Sequence, residues 1–101
     1  MFNWLQDIDN YDTRKVADKE THNGLTVSTA FTSDEGYETA ILDASGSHPV
    51  ERYETLFKAR IGHAKWFDFC KQWKGDKVTK LGGLSGLVED KQITLKPEAT
   101  Q

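Results

Sequence analysis

A chain of 101 residues is long enough for one hydrophobic core and too short for two, which predicts a single domain over 1–101. Apolar residues make up 37% and charged residues 29%, the balance of a chain that folds. Sixteen acidic against thirteen basic residues leave a formal charge of -3, which argues against nucleic acid as a partner.

The single cysteine, Cys70, allows no internal disulfide, and no basic region followed by a long apolar run marks the start of the chain. The apolar opening Met1-Phe2-Asn3-Trp4-Leu5 gives way to Gln6 and Asp7, far short of the roughly 20 residues that span a bilayer. A cytoplasmic protein with no membrane segment is expected.

Over residues 1–12, Met1, Trp4, Leu5 and Ile8 share one helical face, predicting a short docking segment. The charged run from Thr13 to Thr21 reads as an edge strand. After His22, Asn23-Gly24 supplies two residues that tolerate the positive φ of a tight hairpin turn. Residues 25–32 then form a strand with Leu25, Val27 and Phe31 on one face, Thr29 falling among them.

Ser33 to Gly36 is a turn, and residues 37–43 form the next strand with Tyr37, Thr39 and Ile41 on one face. A loop over 44–49 precedes a short strand over 50–53. Thr55 is placed as the N-cap of a helix to about Trp73, along which Leu56, Ala59, His63, Trp66, Phe67, Cys70 and Trp73 recur at spacings of three and four. Gly75 stops it. The three glycines of Leu81 to Val88 favour irregular backbone, Ile93 to Leu95 supplies a late strand, and residues 96–101 form a tail that frays from Pro97. The predicted fold is α+β, an antiparallel three- to four-stranded meander packed against one long amphipathic helix.

His63 lies on the apolar stripe, where packing in the core or at its boundary is favoured over contact with a ligand. Gly62 costs a helix about 1 kcal/mol relative to alanine, so something approaches the backbone there, a crossing strand in preference to a ligand. Glu35, Glu38, Glu51 and Glu54 flank strand ends and read as a solvated face before they read as an acid–base pair. His22, His48 and His63 lack the spacing of zinc ligands, and no Gly-Lys-Ser or Gly-Lys-Thr follows the late glycines, so neither a metal nor a cofactor is expected. Cys70 reads as a small core residue whose thiol pKa burial raises. Three tryptophans, five phenylalanines and three tyrosines exceed what one sheet and one helix must bury. Trp4, Tyr37, Glu38, His63 and Trp73 are the candidate binding residues, with Trp4 and Trp73 as anchors.

Val27-Ser28-Thr29, Tyr37-Glu38-Thr39-Ala40-Ile41, Glu51-Arg52-Tyr53 and Gly62-His63-Ala64-Lys65-Trp66 together resemble a set of small phage and prophage proteins. Those proteins carry a Val-Ser-Thr strand, a Glu-Thr strand and an Arg-Tyr segment leading into a Gly-His helix. The likeness covers about residues 24–70, and Ile61 stands where those proteins carry alanine. It implies a virus-encoded or prophage-encoded origin and brings no reaction with it.

The expectation is a non-enzymatic accessory protein that binds a host or viral protein. Inhibition of a host defence system is one version, although -3 is a weak charge for mimicry of nucleic acid. A self-assembling, virion-associated structural protein and a small enzyme using His63 with Glu38 or another acid are the alternatives.

Overall fold

In the computed structural model, which describes residues 15–33, 35–83 and 87–99, Asn23 and Gly24 hold φ at 58° and 74°. That paired left-handed backbone reverses a hairpin in two residues, so His22 pairs directly with Leu25. Strand β1 (Glu20–His22) thus runs antiparallel to β2 (Leu25–Thr32). The edge strand expected over 13–21 sits closer to the turn than its charge pattern suggested. Further out, an isolated bridge joins Lys15 to Ala30, and the Val16 N–H donates to the Thr29 carbonyl at 2.8 Å.

β3 (Gly36–Asp43) and β4 (Gly46–Tyr53) complete an antiparallel sheet of order β1-β2-β3-β4. The helix α1 (Leu56–Gln72) packs across this meander, so the fold is α+β as expected. β5 (Lys77–Lys80) and β6 (Lys91–Thr94) form a second, two-stranded antiparallel sheet. The sequence reading assigned no element to residues 77–80 and set the late strand two residues further on, over 93–95.

The loop expected over 44–49 is mostly strand. Ala44 and Ser45 alone separate the paired residues Asp43 and Gly46. Pro49, which lacks an N–H, is accommodated because β4 lies at the sheet edge. Its carbonyl accepts the Leu81 N–H at 2.8 Å, which brings the chain next to β5 alongside β4.

The register of β4 slips between Thr39 and Ala40 of β3, where Thr39 faces Glu51 and Ala40 faces Pro49, leaving Val50 extra. A bulge of this kind reverses which side chains reach each face. Before it, His48 and Val50 are buried toward the helix; after it, Glu51 and Tyr53 take that side and Arg52 turns away with Glu38.

Thr55 caps α1 as expected, its hydroxyl accepting the Lys58 N–H at 3.1 Å. At the other end the Asn23 amide donates to the Cys70 and Lys71 carbonyls at 2.9 and 3.1 Å, tying the first hairpin turn to the helix C-terminus. The core between sheet and helix gathers Leu25, Val27, Ile41, Val50 and Cys70, with Val78 and Leu95 from the C-terminal third. Leu56, expected on the buried stripe, is 38% exposed because it sits in the first turn, beyond the end of that core.

The tail expected to fray is held as far as Glu98. Leu95 is buried, the Ala44 N–H donates to the Lys96 carbonyl at 2.8 Å, and the Glu98 N–H donates to the Gly24 carbonyl at 2.9 Å. Gly24 is needed for that approach, since a Cβ there would stand 2.5 Å from the Glu98 carbonyl oxygen. Trp4 and the docking segment over 1–12 lie outside the described residues. No described helix is long and apolar enough to cross a membrane.

Candidate functional site

Thr29 and Thr39 face each other across β2 and β3, and both are fully buried. Their hydroxyls are 2.6 Å apart, and the Thr29 hydroxyl lies 2.8 Å from His63 Nδ1. The Tyr53 hydroxyl, carried to this side by the bulge, lies 3.0 Å from the Thr39 hydroxyl and 3.1 Å from the Glu51 carboxylate, within hydrogen-bond reach of both. Glu51 also accepts from Trp66 Nε1 at 2.8 Å and from Lys65 Nζ. A polar chain thus runs from the helix edge beneath α1 to a buried histidine.

Each hydroxyl carries one proton, so Tyr53 donates to Thr39 or to Glu51 at any one moment and not to both, and the direction of the hydrogen bonds through Thr39, Thr29 and Nδ1 follows from which acceptor it serves. His63 Nε2 has no hydrogen bond among the described residues and lies 3.5 Å from the Glu20 carboxylate of β1. Burial, with the Glu51 carboxylate beside it, pushes the Tyr53 phenol up to about 12. Burial alone would raise Glu51, but hydrogen bonds from Lys65, Trp66 and Tyr53 outweigh it and hold the carboxyl below its ordinary 4.5.

Gly62 makes this arrangement possible. A Cβ there would lie 2.1 Å from the Tyr53 hydroxyl and 2.2 Å from its ring carbon, so the ring rests on bare helix backbone. The close approach read from the sequence is therefore made by a side chain of the adjoining strand. Above the contact is a shallow cleft of about 220 Å³ lined by Glu51, Tyr53, Lys58, Ile61, Gly62 and Lys65. His63, only 4% exposed, is not part of its wall.

The outer side of α1 next to this cleft carries large apolar residues. Phe57 is 73% exposed and Ile61 56%. Spaced by four, they form one ridge on the helix surface. Lys58 and Arg60 flank it on either side, and neither is paired with a carboxylate among the described residues. Within α1, Lys58, Arg60, Lys65 and Lys71 stand against Asp68, so the helix is basic in a chain of net charge -3.

The candidate binding residues are not brought together. Tyr37 lies on the helix side, its ring edge-on to Phe31 at 5.1 Å. Glu38, its neighbour in β3, faces the other way and accepts from Arg52 Nε at 2.9 Å, as alternation along a strand requires. The pairing of His63 with Glu38 considered for an enzyme is thereby broken, because Glu38 stands on the opposite face. Trp73 follows the last residue of α1, half-buried against the core, its Nε1 donating to the Asp76 carbonyl at 2.8 Å. Phe57 and Ile61 escaped the sequence reading because they fall off the stripe that identified the helix. The signal available was their size at positions that the stripe assigns to water.

A second polar cluster closes the β3–β4 turn. Asp43 Oδ1 accepts from the Ser45 hydroxyl at 2.6 Å and lies 2.9 Å from His48 Nε2, while Oδ2 accepts the Lys96 N–H at 2.8 Å. Burial would raise its pKa, but these bonds hold it well below the usual carboxylate range. The grouping is no nucleophile relay, since serine and aspartate share one ring nitrogen and Nδ1 has no partner among the described residues. It clamps the C-terminal segment to the turn. Cys70 is fully buried, and burial pushes its thiol up to about 11, as expected for a core residue. Among the described residues no group of three or more His, Cys, Asp or Glu is placed to hold a metal ion.

No family model matches the chain, and no curated protein or solved structure matches it.

Proposed function

We propose that this chain is a non-enzymatic accessory protein of phage or prophage type that acts by binding a host or viral protein through the outer face of α1. The observation that carries the reading is the exposed Phe57–Ile61 ridge beside Lys58 and Arg60, which no carboxylate among the described residues pairs. Large apolar side chains on the water side of an amphipathic helix contribute nothing to its core and mark interaction surfaces. The cleft over Gly62 and Tyr53 adds a recess in which an apolar anchor can seat. The likeness of the Val-Ser-Thr, Glu-Thr and Gly-His segments to small phage and prophage proteins supports a host or viral partner, and inhibition of a host defence system is one form the binding can take.

The test compares the native chain with a Phe57→Ser/Ile61→Ser double variant, both folded by circular dichroism. Proteins that the native chain retains from a bacterial lysate are purified and titrated against both chains. A loss of affinity of about tenfold or more in the variant is expected for an interface anchor. Equal affinities would refute the ridge as the binding surface.

A further inference from the structure

Four of the most exposed large apolar residues occur as two pairs on opposite sides of the domain. Phe57 and Ile61 lie on the outer face of α1. Leu87, 84% exposed, and Val88, 47% exposed, lie beyond the glycine-rich stretch. Val88 lines a cleft of about 320 Å³ together with Glu38, Arg52 and Gly82, and so belongs to the sheet face turned away from α1.

The two pairs also differ in charge. Lys58 and Arg60 flank the first, whereas Glu89 and Asp90, both exposed, follow the second directly in sequence. Asp90 accepts the Gly82 N–H at 2.7 Å, which fixes its carboxylate next to Val88. Lys80 and Lys91 border Val88 and Glu89, so the acidic character is confined to the tip of the segment. Apolar contact must then carry most of any association, with the two carboxylates setting its direction.

We infer that the Phe57–Ile61 ridge of one copy receives the Leu87–Asp90 segment of a second copy, giving weak head-to-tail self-association. The inference rests on the reading of the ridge as a binding surface and adds that a partner protein must displace a second copy from it. A contact between two different patches is heterologous. Because the patches lie on opposite sides of the domain, each added copy leaves one of each free, and growth does not stop at a dimer. The small size of both patches places the contact in the weak, transient class.

Light scattering over about 10 μM to about 1 mM tests this, since that range spans weak association. The native chain is expected to rise from 11.4 kDa at the dilute end to beyond twice that mass at the concentrated end. Ile61→Asp places a carboxylate against Glu89 and Asp90, and Leu87→Lys places a cation against Lys58 and Arg60. Both positions are exposed, so both variants keep the fold, and each alone is expected to stay monomeric. Mixed in equal amounts they retain one intact ridge and one intact segment, and the mass is expected to rise to about twice the monomer or beyond. A native chain that stays at 11.4 kDa throughout, a variant that associates like the native chain, or a mixture that remains monomeric would each overturn the inference. Leu87→Lys leaves the ridge untouched. Its affinity for a purified partner therefore reports on the binding reading independently of what the masses show.

Discussion

From Lys65 to Gln72 the helix α1 turns Trp66, Phe67, Phe69 and Cys70 toward the core and exposes Lys65, Asp68 and Lys71, whereas from Phe57 to His63 it buries Ala59, Gly62 and His63 and exposes Phe57 and Ile61. The C-terminal half is an ordinary amphipathic helix, held by apolar burial at about 25 cal/mol per Å². The N-terminal half buries only Ala59, Gly62 and His63, and is held by the hydrogen bond between His63 and Thr29, worth about 1 kcal/mol, and by one ring lying on a glycine. Stability and surface chemistry are thus separated along one helix. The apolar residues that the first half does not use for folding are the ones free to meet another protein.

The sharpest way to break this comparison is Gly62→Ala. An ordinary helical glycine would gain about 1 kcal/mol from alanine, but here the methyl group must drive the Tyr53 ring away from Thr39 and Glu51. A net loss of about 2–4 kcal/mol in urea unfolding is expected from overpacking and broken hydrogen bonds. A gain in stability would show that the ring does not rest on the backbone.

Phe67→Ala in the other half is expected to cost about 1–3 kcal/mol, less than a fully buried ring because Phe67 is only partly covered. His63→Gln follows at about 1–2 kcal/mol, since glutamine keeps one bond to Thr29 and leaves part of the site unfilled. Its affinity for a partner should stay within a few fold, as expected of a residue outside the cleft wall. Complete loss of function in a folded His63→Gln chain of native stability would move the ring from packing to chemistry.

Glu51 sharpens the comparison through pH. Its carboxyl is held below its ordinary value in the folded state, so its contribution is fully present above about pH 4.5 and is lost as pH falls through the folded value. Glu51→Gln removes this titration, so the acid limb of the stability curve becomes shallower. Because the side chain is about a third exposed, the difference at neutral pH should stay under about 1 kcal/mol. The smallest effect belongs to Phe57→Ser, within about 0.5 kcal/mol, because a side chain 73% exposed gives up little on unfolding. A larger cost would mean that the ridge supports the fold.

Local chemistry made much of the fold legible. Asn23-Gly24 announces a two-residue reversal, the alternation over 25–32 and 37–43 announces half-buried strands, and Thr55 with the three-and-four spacing announces the helix. Each signal acts within a few residues, where sterics and periodicity decide. Tyr37 and Glu38 were also separable in principle, since neighbours on a strand point to opposite faces. The two-residue turn before β4 was hidden because Gly46 and Pro49 read as loop wherever the edge position of a strand is unknown.

What the tertiary structure alone decided lies at the site. The bulge at Val50 rotates Glu51 and Tyr53 toward the helix and Arg52 away from it, and its position depends on how β3 and β4 pair, which no periodicity within β4 records. Thr29 and Thr39 become a buried pair only when their strands are in register, and they find His63 only when the helix crosses them. The sequence by itself determined that a helix with these apolar residues forms. That Phe57 and Ile61 lie off its apolar stripe was legible too, whereas the exposure of Leu56 on that stripe was decided by where the core ends beneath the helix, because burial is a property of the assembled layers and not of any one segment.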